Sequence, residues 1–344
     1  MFSSAKARSQ SRAIIAATRW LLDRVWKEKK PADRELAAYL RAHRELGSRD
    51  RRVVTELFYS LCRWWGWLKP LAPVDSSTGD DAWVPPLLAA LLMENLDCPE
   101  LARVWFQAVR IHWSDLQEMP PEARSGKRAA WLLGKLAHTR GPDDLRQEAL
   151  IPRWAPQEIM CPKPTPSLVS WLQKRPPLWL RIQAPAPDPV IRELENAGLN
   201  VEKHPRLENA VSLLKPRVNL MTLPVYSEGR VEIQDLASQA IGHVCAPKSG
   251  QRWWDACAGG GGKSLLLSQL MQGKGTVVAS DVHVHKLDEL RRRARRAGFS
   301  NITTWEWKGK DVPSRKATFD GVLVDAPCSG SGTWRRNPAA RWMI

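Results

Sequence analysis

The sequence contains no apolar run approaching the ~20 residues that a membrane-spanning helix requires. Its first stretch, residues 1–12, is polar and basic and lacks the apolar core of a secretory signal. Both absences lead us to expect a soluble, cytoplasmic chain with no membrane partner. Cysteine is scarce: Cys62, Cys98, Cys161, Cys245, Cys257 and Cys328 are scattered with no CxxC pair, which fits reduced thiols and excludes an evident zinc or other metal site. Acidic residues are also short, 36 Asp+Glu against 52 Lys+Arg, and the net charge of +16 favours a polyanionic partner, nucleic acid ahead of an acidic membrane surface. What remains is ordinary globular composition, 43% hydrophobic and 26% charged over 344 residues, enough for two or three domains.

Tryptophan is abundant, with 18 residues. Trp64, Trp65, Trp67, Trp105 and Trp113 stand where helices would pack, so core filling is expected ahead of base stacking. Apolar residues recur at helical spacing over residues 13–26, 35–46, 52–68, 87–96, 101–111 and 129–136, with Pro73, Pro85, Pro86, Pro120 and Pro121 as breaks. Residues 1–140 are therefore expected to form a helical domain. Within it, 47–52 reads as a helix start capped by Ser48 or Asp50, whose arginines have RNA phosphates as an alternative use. Prolines crowd 141–175, as in a linker. Strands over 178–182, 211–214 and 231–233, with a helix over 189–197 ended by Gly198, predict a small α+β module over 176–233.

From residue 234 onward strands and helices alternate, which predicts an open parallel sheet with right-handed crossovers. The first strand, 252–257, runs into Ala258 and four glycines, Gly259, Gly260, Gly261 and Gly262, followed by Lys263-Ser264 and an apolar helix. Bare backbone beside a helix N-terminus suits a nucleotide-like cofactor. The phosphate-loop pattern is excluded, because it requires glycine at 257, where Cys257 stands. Asp281 ends the second strand, where a carboxylate can bind a ribose diol or cap the next helix. That helix carries Lys286, Arg291, Arg292, Arg293, Arg295 and Arg296, read as a solvated face. A third strand covers 301–307. The fourth, with Val322, Leu323 and Val324 expected to be covered on both faces, ends at Asp325-Ala-Pro-Cys328, so an acid and a thiol should face the cleft beyond the sheet. By spacing alone this pair reads equally as a strand and a turn.

Taken together, Asp255-Ala-Cys-Ala-Gly-Gly-Gly-Gly-Lys263, Ser280-Asp281 and Asp325-Ala-Pro-Cys-Ser-Gly-Ser-Gly-Thr333 resemble the RsmB-type RNA cytosine-5 methyltransferases of the Sun/Nol/Nop family. The resemblance extends upstream through Trp179-Leu-Arg181 and Gln234-Asp-Leu-Ala-Ser-Gln239, and the helical region resembles a NusB-like RNA-binding domain. It implies an all-α NusB-like domain, a small α+β RNA-binding module, and a Rossmann-like α/β methyltransferase domain over 234–344. The expected partners are RNA, ribosomal 16S RNA first, and S-adenosylmethionine as cofactor, and the chain is expected to be a monomer.

The resemblance implies that Cys257, Ala258, Gly259, Gly260, Gly261, Gly262 and Lys263 bind the cofactor, with Asp281 on its ribose and Asp325 near the methyl-transfer centre. Lys308 stands where the family often has an aspartate near the adenine, Ala339 where an acidic residue follows Pro338, and Gly259-Gly260 where Ala-Pro is common. In such enzymes a thiolate adds to C6 of an unstacked cytosine and makes C5 nucleophilic. Asp325 would hydrogen-bond the pyrimidine edge, while Cys328 would assist product release, with attack by Cys328 itself as the alternative. The family's attacking cysteine sits in a later Thr-Cys motif, and the sequence ends at Ile344 without one. The sheet is therefore expected to be truncated after its fourth strand, and a noncatalytic RNA-binding remnant is the competing expectation.

Overall fold

The computed structural model describes residues 4–73, 79–112, 114–115, 131–132, 134–135, 145–214, 218–309, 312–313 and 318–343. Trp113, Pro120, Pro121 and much of the helix expected over 129–136 lie outside them. The chain divides into two compact units, Met1–Arg175 with Ser329–Ile344, and Pro176–Cys328.

The first unit is built from helices. Those of its N-terminal part are α1 (Ser4–Leu22), α2 (Ala32–Ala42), α3 (Ser48–Leu68), α4 (Val84–Met93) and α5 (Pro99–Ala108). Pro85 and Pro86 do not break a helix but start α4, since the first turn has no use for their missing amides. The apolar faces meet in one core containing Ile14, Leu21, Leu57, Phe58, Leu61, Leu87, Leu101 and Trp105. Trp105 donates to Ser11 Oγ at 2.7 Å, Trp64 to Glu94 Oε1 at 2.9 Å and Trp67 to the Arg146 carbonyl at 2.9 Å. Trp65 lies against Trp26 with centroids 4.6 Å apart. Trp64, Trp67 and Trp105 thus fill the interior and satisfy their N–H groups there.

At 47–52 the cap is Gly47, without a side-chain bond, in place of Ser48 or Asp50. Asp50 accepts from Gln10 Nε2 at 2.6 Å, and Arg51 donates to the carbonyls of Leu40, His43 and Leu46 at the end of α2. Arg51 thus completes a neighbouring helix end, a structural use of the cation. The stretch expected as a linker carries α6 (Thr165–Leu172) and sends Leu150, Ile151, Ala155, Val169 and Leu172 into the same core. Trp334 and Ala339 are buried there too. Arg341, with 0% exposure, donates to the carbonyls of Arg63, Leu150, Leu172 and Trp334 and to Gln173 Oε1.

The second unit holds two sheets. In the first, β1 (Leu178–Ile182), β2 (Val201–Lys203), β3 (Ala210–Leu213) and β4 (Val231–Ile233) are antiparallel in the order β2-β3-β1-β4. Helix α7 (Pro187–Asn196) buries Val190, Ile191 and Leu194 against it, and Gly198 at φ 82° makes the turn that follows. The second sheet is parallel: β5 (Arg252–Asp255), β6 (Thr276–Asp281), β7 (Ile302–Glu306) and β8 (Gly321–Leu323) in the order β7-β6-β5-β8. Helices α8 (Leu236–Cys245), α9 (Gly262–Leu270) and α10 (Val284–Arg296) accompany it. Trp253, Leu267, Met271, Val277 and Leu323 form its main core, and Ala279, Leu290 and Ala294 a second cluster. The strand order reverses between β5 and β8, which opens a crevice beyond their carboxyl ends.

Two expectations change. Strand β8 is not covered on both faces: Leu323 is 7% exposed, but Val322 and, just past the strand, Val324 are 49% and 63% exposed, because they share the opposite face, which is left open among the described residues. The arginines of α10 are not all a solvated face either. Arg293 and Arg296 reach Glu232 on β4 at 3.3 and 2.8 Å, and Arg296 lies 4.1 Å over the ring of Tyr226. Among the described residues no helix is long and apolar enough to cross a membrane, and no cluster of His, Cys, Asp and Glu could hold a metal ion.

Candidate active site

The loop after β5 is held in place from three sides. Ala258 donates its amide to the Ser280 carbonyl at 2.8 Å and Gly259 to Asp281 Oδ2 at 2.9 Å. The Gly262 carbonyl accepts from Gln234 Nε2 at 3.0 Å, and the Gly260 carbonyl accepts from Arg293 Nη1. Gly259 at φ 53° and Gly261 at φ 84° occupy the left-handed region that glycine adopts without a Cβ clash. A Cβ on Gly259 would meet nothing within 4 Å, whereas one on Gly261 would lie 2.4 Å from Leu290 Cγ. The loop therefore presents open space at Gly259 and rests on the core at Gly261.

Asp281 ends β6 and orients two neighbours. Its Oδ1 accepts from the His283 amide at 2.8 Å while Oδ2 takes Gly259. Helix α10 starts one residue after His283, which is its cap, so Asp281 fixes the turn before the helix. Burial pushes its pKa up, but the two amides and the His283 ring outweigh that and hold the carboxylate below its ordinary range.

Lys263, in the first turn of α9, extends to Asp325 Oδ2 at 2.6 Å and to Ser238 Oγ at 3.4 Å. The lysine side chain is 13% exposed and the aspartate 52%, so the pair ties the loop after β5 to the segment after β8 and leaves the carboxylate accessible. Cys328 and Lys308 are exposed and follow β8 and β7 at their carboxyl ends. Cys257 is half-buried; burial, then Asp255, Asp281 and Asp325, push its thiol pKa up, which makes it a poor nucleophile. The structure thus brings Cys257 to Lys263, Asp281 and Asp325 together at the crevice.

Asp255 opens the quoted motif, but motif reading gave it no role. It closes β5, is 1% exposed, accepts from Ser264 Oγ at 2.6 Å through Oδ2, and has no partner for Oδ1 among the described residues. A carboxylate at a strand end directly before a glycine loop was the available signal. Burial raises its pKa from 3.8 to about 6, against the opposing pull of Ser264 and Lys263. A raised folded-state pKa favours the protonated fold, so the contribution of Asp255 to stability is fully present below about pH 4 and is lost as pH rises through about 6. The gap between the two values corresponds to about 3 kcal/mol. Asp255→Asn removes this dependence: between pH 8 and pH 4, denaturant unfolding should show the stability difference moving by about 3 kcal/mol in favour of the native chain. A difference independent of pH would mean that Asp255 does not titrate on folding.

Residues 243–344 match the model of the family described as 16S rRNA methyltransferase RsmB/F. This segment belongs to the RsmB/F methyltransferase family. The RsmB/F segment contains the glycine loop, Asp281, Asp325 and Cys328. Among curated relatives, the Bacillus subtilis (strain 168) protein named "Probable ribosomal RNA small subunit methyltransferase B" is 36% identical over 155 residues, 44% of this chain and 34% of that protein. The ribosomal RNA small subunit methyltransferase B of Salmonella paratyphi B (strain ATCC BAA-1250 / SPB7) is 31% identical over 201 residues, 56% of this chain and 46% of its own length. The chain thus spans less than half the length of these relatives. A solved structure titled "Crystal Structure of PH0851" shares the fold, with a TM-score of 0.67, 22% identity, and coverage of 97% of this chain and 77% of that one.

Proposed function

We propose that this chain transfers a methyl group from S-adenosylmethionine to C5 of a cytosine in RNA, with 16S ribosomal RNA as the substrate. The observation that carries the reading is the convergence of the glycine loop, Asp281 and the Lys263–Asp325 pair at the point where the parallel sheet reverses its strand order. The residues suit the cofactor. Gly259 combines a left-handed backbone with open space, and the N-terminus of α9 favours negative charge, which suits a carboxylate.

In this reading Cys257, Ala258, Gly259, Gly260, Gly261, Gly262 and Lys263 hold the cofactor's amino-acid part. Asp281, already aligned by two amides, takes the ribose diol, and Lys308 borders the adenine. When bound, S-adenosylmethionine supplies an electrophilic methyl group. Asp325, steadied by Lys263, hydrogen-bonds the pyrimidine edge and stabilises charge as it develops there. Cys328, exposed after Pro327, acts on release of the methylated base; in the alternative role its thiolate adds to C6, C5 takes the methyl group, and loss of the C5 proton expels the thiolate. The helical unit, Met1–Arg175 with Ser329–Ile344, corresponds to a NusB-like RNA-binding domain into which the stretch read as a linker is packed, 176–233 to an α+β RNA-binding module, and the methyltransferase sheet lies within 234–328.

Incubation with tritiated S-adenosylmethionine and 16S ribosomal RNA, followed by nucleoside digestion, should place the label in 5-methylcytosine. Label in another nucleoside, or none in RNA, overturns the reading. Calorimetric titration with the cofactor separates failure of the chemistry from failure of binding.

A further inference from the structure

Within the helical unit, cations accumulate around one carboxylate. Glu94, 8% exposed in its side chain, meets both Arg63 at 3.1 Å and Arg175 at 2.7 Å. Arg341 is buried with only neutral acceptors around it, four carbonyls and a glutamine amide oxygen. Burial, and then the nearby Arg63, push its pKa down to about 9, so it is still charged at neutral pH. Arg63 in turn is lowered by burial, pulled up by Glu94, and lowered again by the charges of Arg175 and Arg335. Glu94 thus shares one negative charge between two guanidiniums, and a local surplus of cations attracts a polyanion.

The surface above this cluster has the form such a polyanion needs. Trp171, at the end of α6, is 47% exposed, unlike the tryptophans that fill the core. The Arg335 guanidinium lies 4.4 Å over its ring and is oriented by the carbonyls of Lys174 and Arg175, at 2.9 and 3.5 Å. Lys174, Arg175 and Arg336 are exposed around it. A half-open indole braced by a fixed guanidinium and ringed by cations is the combination that holds single-stranded nucleic acid, stacking a base while pairing the backbone. Arg335 stands only a few residues past Cys328 in the chain.

We propose that Trp171, Lys174, Arg175, Arg335 and Arg336 form a contact for single-stranded RNA on the helical unit. The inference rests on the RNA methyltransferase reading and deepens it by assigning a surface of the helical unit that holds RNA. Arg335 also has a structural role, tying its segment to the end of α6, so the test leaves it in place.

Fluorescence anisotropy of the full chain with a labelled single-stranded RNA oligonucleotide of mixed sequence, across a salt series, reads the contact. Trp171→Ala should weaken binding by roughly fivefold or more. Lys174→Gln with Arg336→Gln should flatten the dependence of log K on log salt by about 1.4, the loss of two phosphate contacts. Thermal melting and the affinity for S-adenosylmethionine should match the unmodified chain in both variants. Folded variants with unchanged affinity and slope overturn this contact and leave the methyltransferase reading standing. An unmodified chain that binds no RNA overturns both.

Discussion

Gly261→Ala is expected to destabilise the second unit by about 2–5 kcal/mol and to abolish cofactor binding. Two costs combine. A non-glycine residue at φ 84° is strained by roughly 1–2 kcal/mol. The added Cβ would then lie 2.4, 2.8 and 3.0 Å from Cγ, Cδ1 and Cβ of Leu290, which is 0% exposed and has no free space to enter. Overpacking of that kind costs typically about 1–3 kcal/mol. Gly198→Ala is the matched control, because φ is 82° there and nothing lies within 4 Å of the new carbon, so only the strain remains. Denaturant midpoints for the two variants isolate the clash, and equal losses would show that Leu290 gives way. Gly259→Ala completes the set: the fold should survive, since its Cβ meets nothing within 4 Å, while the methyl group occupies space assigned to the cofactor and weakens binding. Retention of full affinity in Gly259→Ala would remove the cofactor from that space.

The parts of the site that could be read from sequence are those whose cause is local. An apolar strand running into consecutive glycines and a helix has few alternatives, and β5, its loop and α9 follow that pattern. Asp281 was legible because strand ends in a parallel sheet project toward the crevice. The charged residues were harder, because a cation's use depends on partners far away in sequence. Arg51 completes the end of α2, Arg341 sits among carbonyls from several segments, and Arg293 and Arg296 meet Glu232, yet in sequence each is an arginine among other exposed-looking arginines. Helical periodicity marks an apolar face but cannot say which charges a neighbouring element will cover. The covering of β8 was illegible for the same reason: Val322-Leu323-Val324 is equally apolar whether one face or both are covered, and only the elements packed on each face decide. Strand β2 escaped notice because three residues, Val-Glu-Lys, carry too little alternation to register.

The connection between the glycine loop and the antiparallel sheet arises from these unreadable arginines. Glu232, 2% exposed on β4, accepts from Arg296 and pairs with Arg293, and Arg293 also donates to the Gly260 carbonyl. The loop's geometry is thus linked through one guanidinium to a carboxylate on the other sheet. Glu232→Ala would leave Arg293 and Arg296 without that counter-charge, beside an Arg181 that burial already pushes down to about 9. Removing one partner from a buried pair costs about 3–5 kcal/mol, far more than the net stabilisation the pair supplies, because the remaining charges stay desolvated. Unfolding of Glu232→Ala, Arg296→Ala and the double variant should reveal a coupling energy of about 1–3 kcal/mol, and simple additivity would show that the two side chains do not interact in solution. The effect on the cofactor divides differently between the arginines. Arg293→Ala should weaken S-adenosylmethionine binding by releasing the Gly260 carbonyl, whereas Arg296→Ala, which stacks on Tyr226 and has no bond to the loop, should lower stability with little change in affinity. Equal losses of affinity in both variants would mean that the loop responds to general loosening of the unit and not to the Arg293 link.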